Sequence, residues 1–203
     1  MPLLRYNLAP TLNGLITSHP TNTTPWIVPD PTIDFPSLYA EFSTFLLGRK
    51  TYETFLSMPP GDNPLLGRPK ESVVVFTRDS VKAKEWEGDV TVVGSGSGLG
   101  SAGVVEFVRG LMGELKRKGP DGEGGKDVWL MGGGEVAGML LRAGLVDVVE
   151  AAIMPVVVGQ GAKMFGEGDG EGDKGEAGWK LVLEKAEALA SGILMTRYRV
   201  VYD

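Results

Sequence analysis

The chain has no cysteine, which excludes disulfides, zinc–thiolate sites, iron–sulfur clusters and thiol catalysis together. Its single histidine, His19, is too few for a multi-histidine metal site, so no metal centre is expected. No apolar run approaches the roughly 18 residues of a membrane-spanning helix, and no Lys/Arg-headed apolar leader opens the chain. A cytoplasmic protein without membrane contact is therefore expected. Basic residues are outnumbered, 20 Lys and Arg against 26 Asp and Glu, and form no stripe that a nucleic-acid partner would need. What the chain has in excess is glycine: 30 of 203 residues, about twice the usual share. Much of the net charge of −6 sits in one glycine-rich stretch, GEGDGEGDKGEAG at 166–178, which reads as a solvated loop.

The length and an apolar fraction of 42% favour one globular domain over 1–203. Leu3–Ala9 suits a strand. Residues 10–36, with six prolines, read as a long irregular loop of the kind that is usually functional. Phe35, Leu38, Tyr39, Phe42 and Phe45 recur at helical spacing and predict one helix face, with Arg49–Phe55 a short second helix. Residues 57–71 are a surface loop by their Pro and Gly content. Ser72–Thr77, Asp89–Val93 and Asp127–Met131 are strand-like runs. Helices are predicted at about Ala102–Lys118 and from the glycines at 132–134 to about Ala143. Val146–Val158 is a strand candidate broken by Pro155. Trp179–Leu189 and Ile193–Tyr202 alternate as strands around Ala-Ser-Gly, a hairpin signal. The whole predicts an α/β fold: a mostly parallel central sheet, helices on both faces, and a C-terminal antiparallel hairpin. That hairpin could also pair two copies into a homodimer.

Three glycine clusters compete for a phosphate-binding role. GSGSGLGSAG at 94–103 contains a literal G-x-G-x-x-G, but the next strand, DVWLM, lacks the closing acid of a dinucleotide fold. GEGGK at 122–126 lacks the earlier glycine and the following Ser or Thr of a P-loop. LMGGGEVAGMLL at 130–141 is the best physically. An apolar strand runs into Gly132, Gly133 and Gly134 and then a helix, so bare backbone and helix N–H groups could approach a pyrophosphate. The alternative is a tight strand-to-helix turn. Gly48, Arg49, Lys50 and Thr51, at a helix start, and Thr77 with Arg78, at a strand end, could add further phosphate ligands. Their bland readings are a helix start and a solvated strand end.

Together these elements resemble the dihydrofolate reductase superfamily, particularly the branch related to the C-terminal reductase domain of the bacterial riboflavin-biosynthesis enzyme. FLLGRKTYETF is similar to its M-G-R-x-T-W/Y-E element, VVVFTR to its second phosphate-binding strand end, and APTLNGLIT to its S-L-D-G-x-I-A loop. DVWLMGGGEV and the later PVVVGQG resemble its Gly-Gly turn and its P-x-x-x-G-x-G segment. The resemblance implies NADPH as cofactor. Arg49, Lys50 and Thr51 would take its phosphates, and Thr77 with Arg78 its adenosine side and 2′-phosphate. Gly132–Gly134, Glu135 and Val136 would line the pyrophosphate and nicotinamide, with a cis bond at Gly132–Gly133. Ala9, Asn13, Gly14, Leu15 and Ile16 would form the wall and mobile loop over the nicotinamide.

Asn13 stands where that branch has Asp. Pro25–Trp26 matches the pair that precedes the folate reductases' active-site carboxylate, which leaves Asp30 and Asp34 as candidate proton donors; Asp34 also reads as a helix N-cap. Trp26, Ile27, Leu38, Tyr52 and Phe55 are candidate walls of a substrate pocket, with ordinary core as the alternative for Leu38 and Phe55. DFPSLYAEF replaces the helix whose His and Arg grip a ribose phosphate in the riboflavin branch. No Y-x-x-x-K pair follows Tyr6, Tyr39 or Tyr52, so the short-chain dehydrogenase relay is absent. The expected chemistry is hydride transfer from NADPH to a C=N or polarised double bond of a small, heterocyclic substrate. The alternative is a nucleotide-binding module that has lost that chemistry.

Overall fold

The computed structural model describes residues 1–19, 23–94, 100–118, 125–166 and 178–202. In chain order the elements are β1 (Leu4–Leu8), α1 (Phe35–Ala40), β2 (Phe42–Gly48), α2 (Arg49–Leu56), a 3-10 turn (Lys70–Ser72), β3 (Val73–Phe76), α3 (Ser80–Trp86), β4 (Thr91–Val93), α4 (Ser101–Lys118), β5 (Asp127–Gly132), α5 (Gly134–Arg142), β6 (Val148–Ile153), β7 (Lys180–Ala188) and β8 (Leu194–Val201). They form two compact units, one of Met1–Leu4 with Phe35–Gly133 and one of Arg5–Asp34 with Gly134–Asp203.

The first unit holds four parallel strands in the order β4-β3-β2-β5. Phe45, Leu46 and Leu47 of β2 are fully buried, as is Val75 of β3. Burial on both faces is why these strands are continuous apolar runs without alternation. It also explains a correction: the helical spacing from Phe35 to Phe45 belongs to two elements. Helix α1 stops at Ala40, and Phe42 and Phe45 lie on β2, where they pack against Trp129 with ring centroids 4.7 and 6.0 Å away. Tyr39 of α1 stacks on the same indole at 4.9 Å. Helix α3 has no counterpart among the predicted elements. Asp79 starts it by accepting from the amides of Val81 and Lys82, and it buries only Ala83 and Trp86, too short a face to show a period. Helix α4 covers the predicted span and buries Val104, Val108, Met112 and Leu115 at helical intervals.

The second unit orders its strands β1-β6-β8-β7, with β1 and β6 parallel and β6, β8 and β7 antiparallel. The sheet is thus mostly parallel with a C-terminal antiparallel hairpin, as the sequence implies. Pro155 ends the sixth strand as expected, and Met154 makes an isolated parallel bridge to Thr11. Every residue of β7 is exposed, and among the described residues the strand pairs on one side only, with β8. An ion ladder crosses this unit. Arg5, 5% exposed, donates two 2.9 Å bonds to the carboxylate of Glu150. Asn7 donates a third at 3.1 Å, and Arg197 pairs with both Glu150 and Glu184.

Candidate functional site

Parallel strands in register end side by side, and that brings three of the predicted motifs to one edge. In the first unit Gly48 stands opposite Phe76, and Leu47 opposite Gly132. Residues 49–51, 77–78 and 133 therefore leave β2, β3 and β5 at the same end, on strands about 4.8 Å apart. Gly48 is extended (φ −77°, ψ 158°) and caps α2 without a side chain, so the cap residue itself offers the first-turn amides no acceptor. The peptide between Gly132 and Gly133 is cis, as expected, and Gly132 has φ +118°, which favours glycine. A Cβ built on either glycine would meet only Thr51 Oγ1, at 3.7 Å, so the turn and that hydroxyl line one open place.

The side chains at this edge differ in readiness. Arg49 is paired with Glu53 at 2.9 Å on the half-exposed flank of α2. Lys50 and Arg78 are exposed. Thr77 is buried, and its hydroxyl oxygen accepts from the Asp79 amide at 3.0 Å. The start of α2, the Thr51 hydroxyl and the glycine turn thus share one edge, the kind of place where helix N–H groups can meet an anion.

In the second unit, Ala9, Asn13, Gly14, Leu15 and Ile16 belong to a strap, residues 9–19, that is zipped to residues 154–164. Leu12 N donates to Val156 O at 2.9 Å, Ile16 N to Ala162 O at 2.8 Å, Met164 N to Gly14 O at 2.9 Å and His19 N to Gln160 O at 2.9 Å. Thr11, which the sequence did not single out, is buried and organises the bend. Its hydroxyl donates to Asn13 Oδ1 at 2.8 Å and accepts from Leu15 N at 2.9 Å.

Glu135 and Val136 begin α5, exposed and half-buried respectively. The missing side chain of Gly134 is required by the protein itself, because a Cβ there would stand 2.0 Å from the carbonyl oxygen of Lys163. Gly166 N donates to Gly134 O at 2.8 Å and holds this crossing. Tyr6 holds it from beneath, donating its hydroxyl to Met164 O at 2.7 Å and meeting Phe165 edge-on. Burial pushes that phenol far above its usual pKa. The third glycine of the turn is thus required by packing, whatever its main chain contacts.

The candidate carboxylates separate. Asp30 is 9% exposed and accepts from the amide and hydroxyl of Thr32 at 2.9 and 2.6 Å. Ser191 first and Thr32 next hold its carboxyl below the usual carboxylate range, although only the Thr32 bonds have regular geometry. A proton donor near neutrality needs the opposite shift, so in the ligand-free protein these bonds fit a turn-forming role for Asp30 better than a donor's. Asp34 is exposed and directly precedes α1. Trp26 is half-buried, with an indole N–H that finds no partner among the described residues, and Ile27 is 46% exposed. Tyr52, a candidate pocket wall, lies in the core: it is 5% exposed, with its ring edge-on to Trp86 at 5.0 Å. Leu38 and Phe55 are half-buried against the same core. Residues 95–99, 119–124 and 167–177, which carry most of the first two glycine clusters and the acidic stretch, lie outside the described residues. Gly100 and Gly103 flank the start of α4.

The family model for the RibD C-terminal domain matches residues 2–195. The chain belongs to this family. The uncharacterized protein YyaP of Bacillus subtilis (strain 168) is 27% identical over 166 residues, covering 78% of each chain. A putative riboflavin biosynthesis protein from Shewanella sp. PV-4 superimposes with a TM-score of 0.70 at 22% identity, over 100% of both chains. Dihydrofolate reductase from Enterococcus faecalis, complexed with NADP(H), superimposes with a TM-score of 0.53 at 18% identity, over 98% of this chain and 96% of that one. The fold is therefore dihydrofolate reductase-like, as the resemblance implied. Among the described residues of this RibD C-terminal domain, no group of three acidic, His or Cys side chains could hold a metal ion. No described helix is long and apolar enough to cross a membrane.

Proposed function

We propose that the chain is an NADPH-dependent reductase that delivers hydride to a C=N or polarised double bond of a small heterocyclic substrate. One observation carries this reading: in-register parallel strands present Arg49–Thr51, Thr77–Arg78 and Gly132–Gly133 at one edge. The fit to a dinucleotide's phosphates rests on the uncapped start of α2 and on the open glycine turn beside Thr51. The amides of residues 49–51 and the Thr51 hydroxyl would hold the diphosphate, with Lys50 neutralising it. Thr77 and Arg78 would hold the adenosine end and its extra phosphate. NADPH, when bound, supplies the hydride.

The proton that follows would come from Asp34, Asp30 or water; the Thr32 bonds to the Asp30 carboxylate favour the other two. That same observation favours a second reading, a nucleotide-binding module without substrate chemistry. Family membership supports a heterocycle of pterin, aminopyrimidine or cyclic-imine type, as in riboflavin-like biosynthesis, and a homodimer would pair through β7.

The test is calorimetry with NADPH and NADH on the wild type and on Arg78→Ala, followed by NADPH oxidation against pterins, flavin precursors and cyclic imines. A charge-assisted hydrogen bond contributes about 1.5–3 kcal/mol, so Arg78→Ala should weaken NADPH roughly 10- to 150-fold and leave NADH nearly unchanged. NADPH binding without turnover on any of the panel selects the binding module. No heat with saturating NADPH defeats both.

A further inference from the structure

Asn13 is exposed, yet its amide makes three ordered bonds. Its Nδ2 donates to Val158 O at 2.7 Å, and its Oδ1 accepts from Val158 N at 3.3 Å and from the Thr11 hydroxyl at 2.8 Å. The side chain thus pairs with residue 158 as a neighbouring strand would, giving and receiving one bond each. It does so midway along the strap, between the main-chain bonds Leu12–Val156 and Ile16–Ala162. At this point no main-chain pair is made among the described bonds; the Asn13 amide replaces one.

We infer that Asn13 is a positioning residue: its neutral amide latches the strap 9–19 onto residues 154–164. Donor and acceptor are both required, because Val158 offers a carbonyl oxygen and an N–H to one side chain. A carboxylate at position 13 keeps the acceptor but sets a second oxygen against the Val158 carbonyl at the present 2.7 Å, where nothing can be donated. The latch would then part, and with it the Thr11 bend that fixes Leu15. In the protonated state the same residue, an acid with one O–H and one C=O, reproduces the amide. The only ionisable side chains on the paired segments are His19 and Lys163, and the start of α5 adds Glu135. An effect on turnover rests on the reductase reading; the latch itself does not.

The experiment is hydrogen exchange of the amides in residues 11–18, read by mass spectrometry on the whole protein without ligand, from pH 4 to pH 7. Each variant is compared with wild type at the same pH. Asn13→Asp should exchange roughly tenfold faster than wild type at pH 7 and approach wild-type protection toward pH 4, as the acid re-forms the donor. Asn13→Ala should exchange faster at every pH. Equal protection of all three proteins across the range overturns the latch, as does an Asn13→Asp effect that does not recover with protonation. In a second arm, NADPH oxidation by Asn13→Ala should lose kcat with little change in the NADPH dissociation constant. Loss of protection in the variants, with a wild type that binds no NADPH, would leave the latch standing and remove the reductase reading. A kcat unchanged by loss of protection would overturn the positioning role.

Discussion

Replacing Gly134 by alanine separates packing from ligand contact at the glycine turn. An added Cβ would stand 2.0 Å from the Lys163 carbonyl oxygen and 3.2 Å from its carbonyl carbon, both main-chain atoms that no rotamer change can move aside. Ordinary contact needs more than 3 Å, so residues 163–166 must shift by about an ångström. The shift strains the 2.8 Å bond from Gly166 N to Gly134 O and the 2.7 Å bond from Tyr6 to Met164 O. Overpacking costs about 1–3 kcal/mol, and two weakened hydrogen bonds about 1 kcal/mol each. Better helix propensity returns about 1 kcal/mol, leaving a net loss of roughly 2–4 kcal/mol. Gly110→Ala is the control, because that glycine lies on the exposed flank of α4 with nothing within 4 Å of its added Cβ. It should gain up to about 1 kcal/mol. Urea denaturation of both variants decides the matter. If Gly134→Ala is as stable as Gly110→Ala and loses only NADPH affinity, the glycine serves the ligand and the packing argument fails.

Two other perturbations follow from the second unit. Glu150→Ala removes the shared partner of Arg5 and Arg197, whose side chains are 6% and 29% exposed, and should cost about 3–5 kcal/mol in urea denaturation. A loss under 1 kcal/mol would mean that water solvates these guanidinium groups. For Asp30 the folded carboxyl is depressed, so its stabilisation is complete above the unfolded value near 3.9 and is lost as pH falls through the lower folded value. The stability difference between wild type and Asp30→Asn should therefore be constant from about pH 5 to pH 8 and shrink below about pH 4. A change in that difference near neutrality would restore Asp30 as a proton donor.

The parallel strands were legible because burial on both faces leaves runs such as Val73–Phe76 with no polar residue to confuse them. The same property hid the boundary between α1 and β2, since apolar residues on a strand buried on both sides can fall at helical spacing by accident. No linker could be read between the two units, because each is assembled from separated stretches of chain. The candidate phosphate ligands could be picked out for a physical reason: free amides and hydroxyls gather at the ends of strands, and strand ends are marked by glycine and threonine. The strap was not. Asn13 and Val158 are 145 positions apart, and nothing in either neighbourhood announces the other. Gly134 shows the limit most plainly. A ligand's phosphate and a crossing main chain place the same demand on a residue, the absence of a Cβ, so one sequence cannot distinguish them. Here the crossing chain is only 2.0 Å from that missing atom, so packing alone suffices to require glycine there. The ligand argument then rests chiefly on Gly132 and Gly133, whose only neighbour on that side among the described residues is the Thr51 hydroxyl.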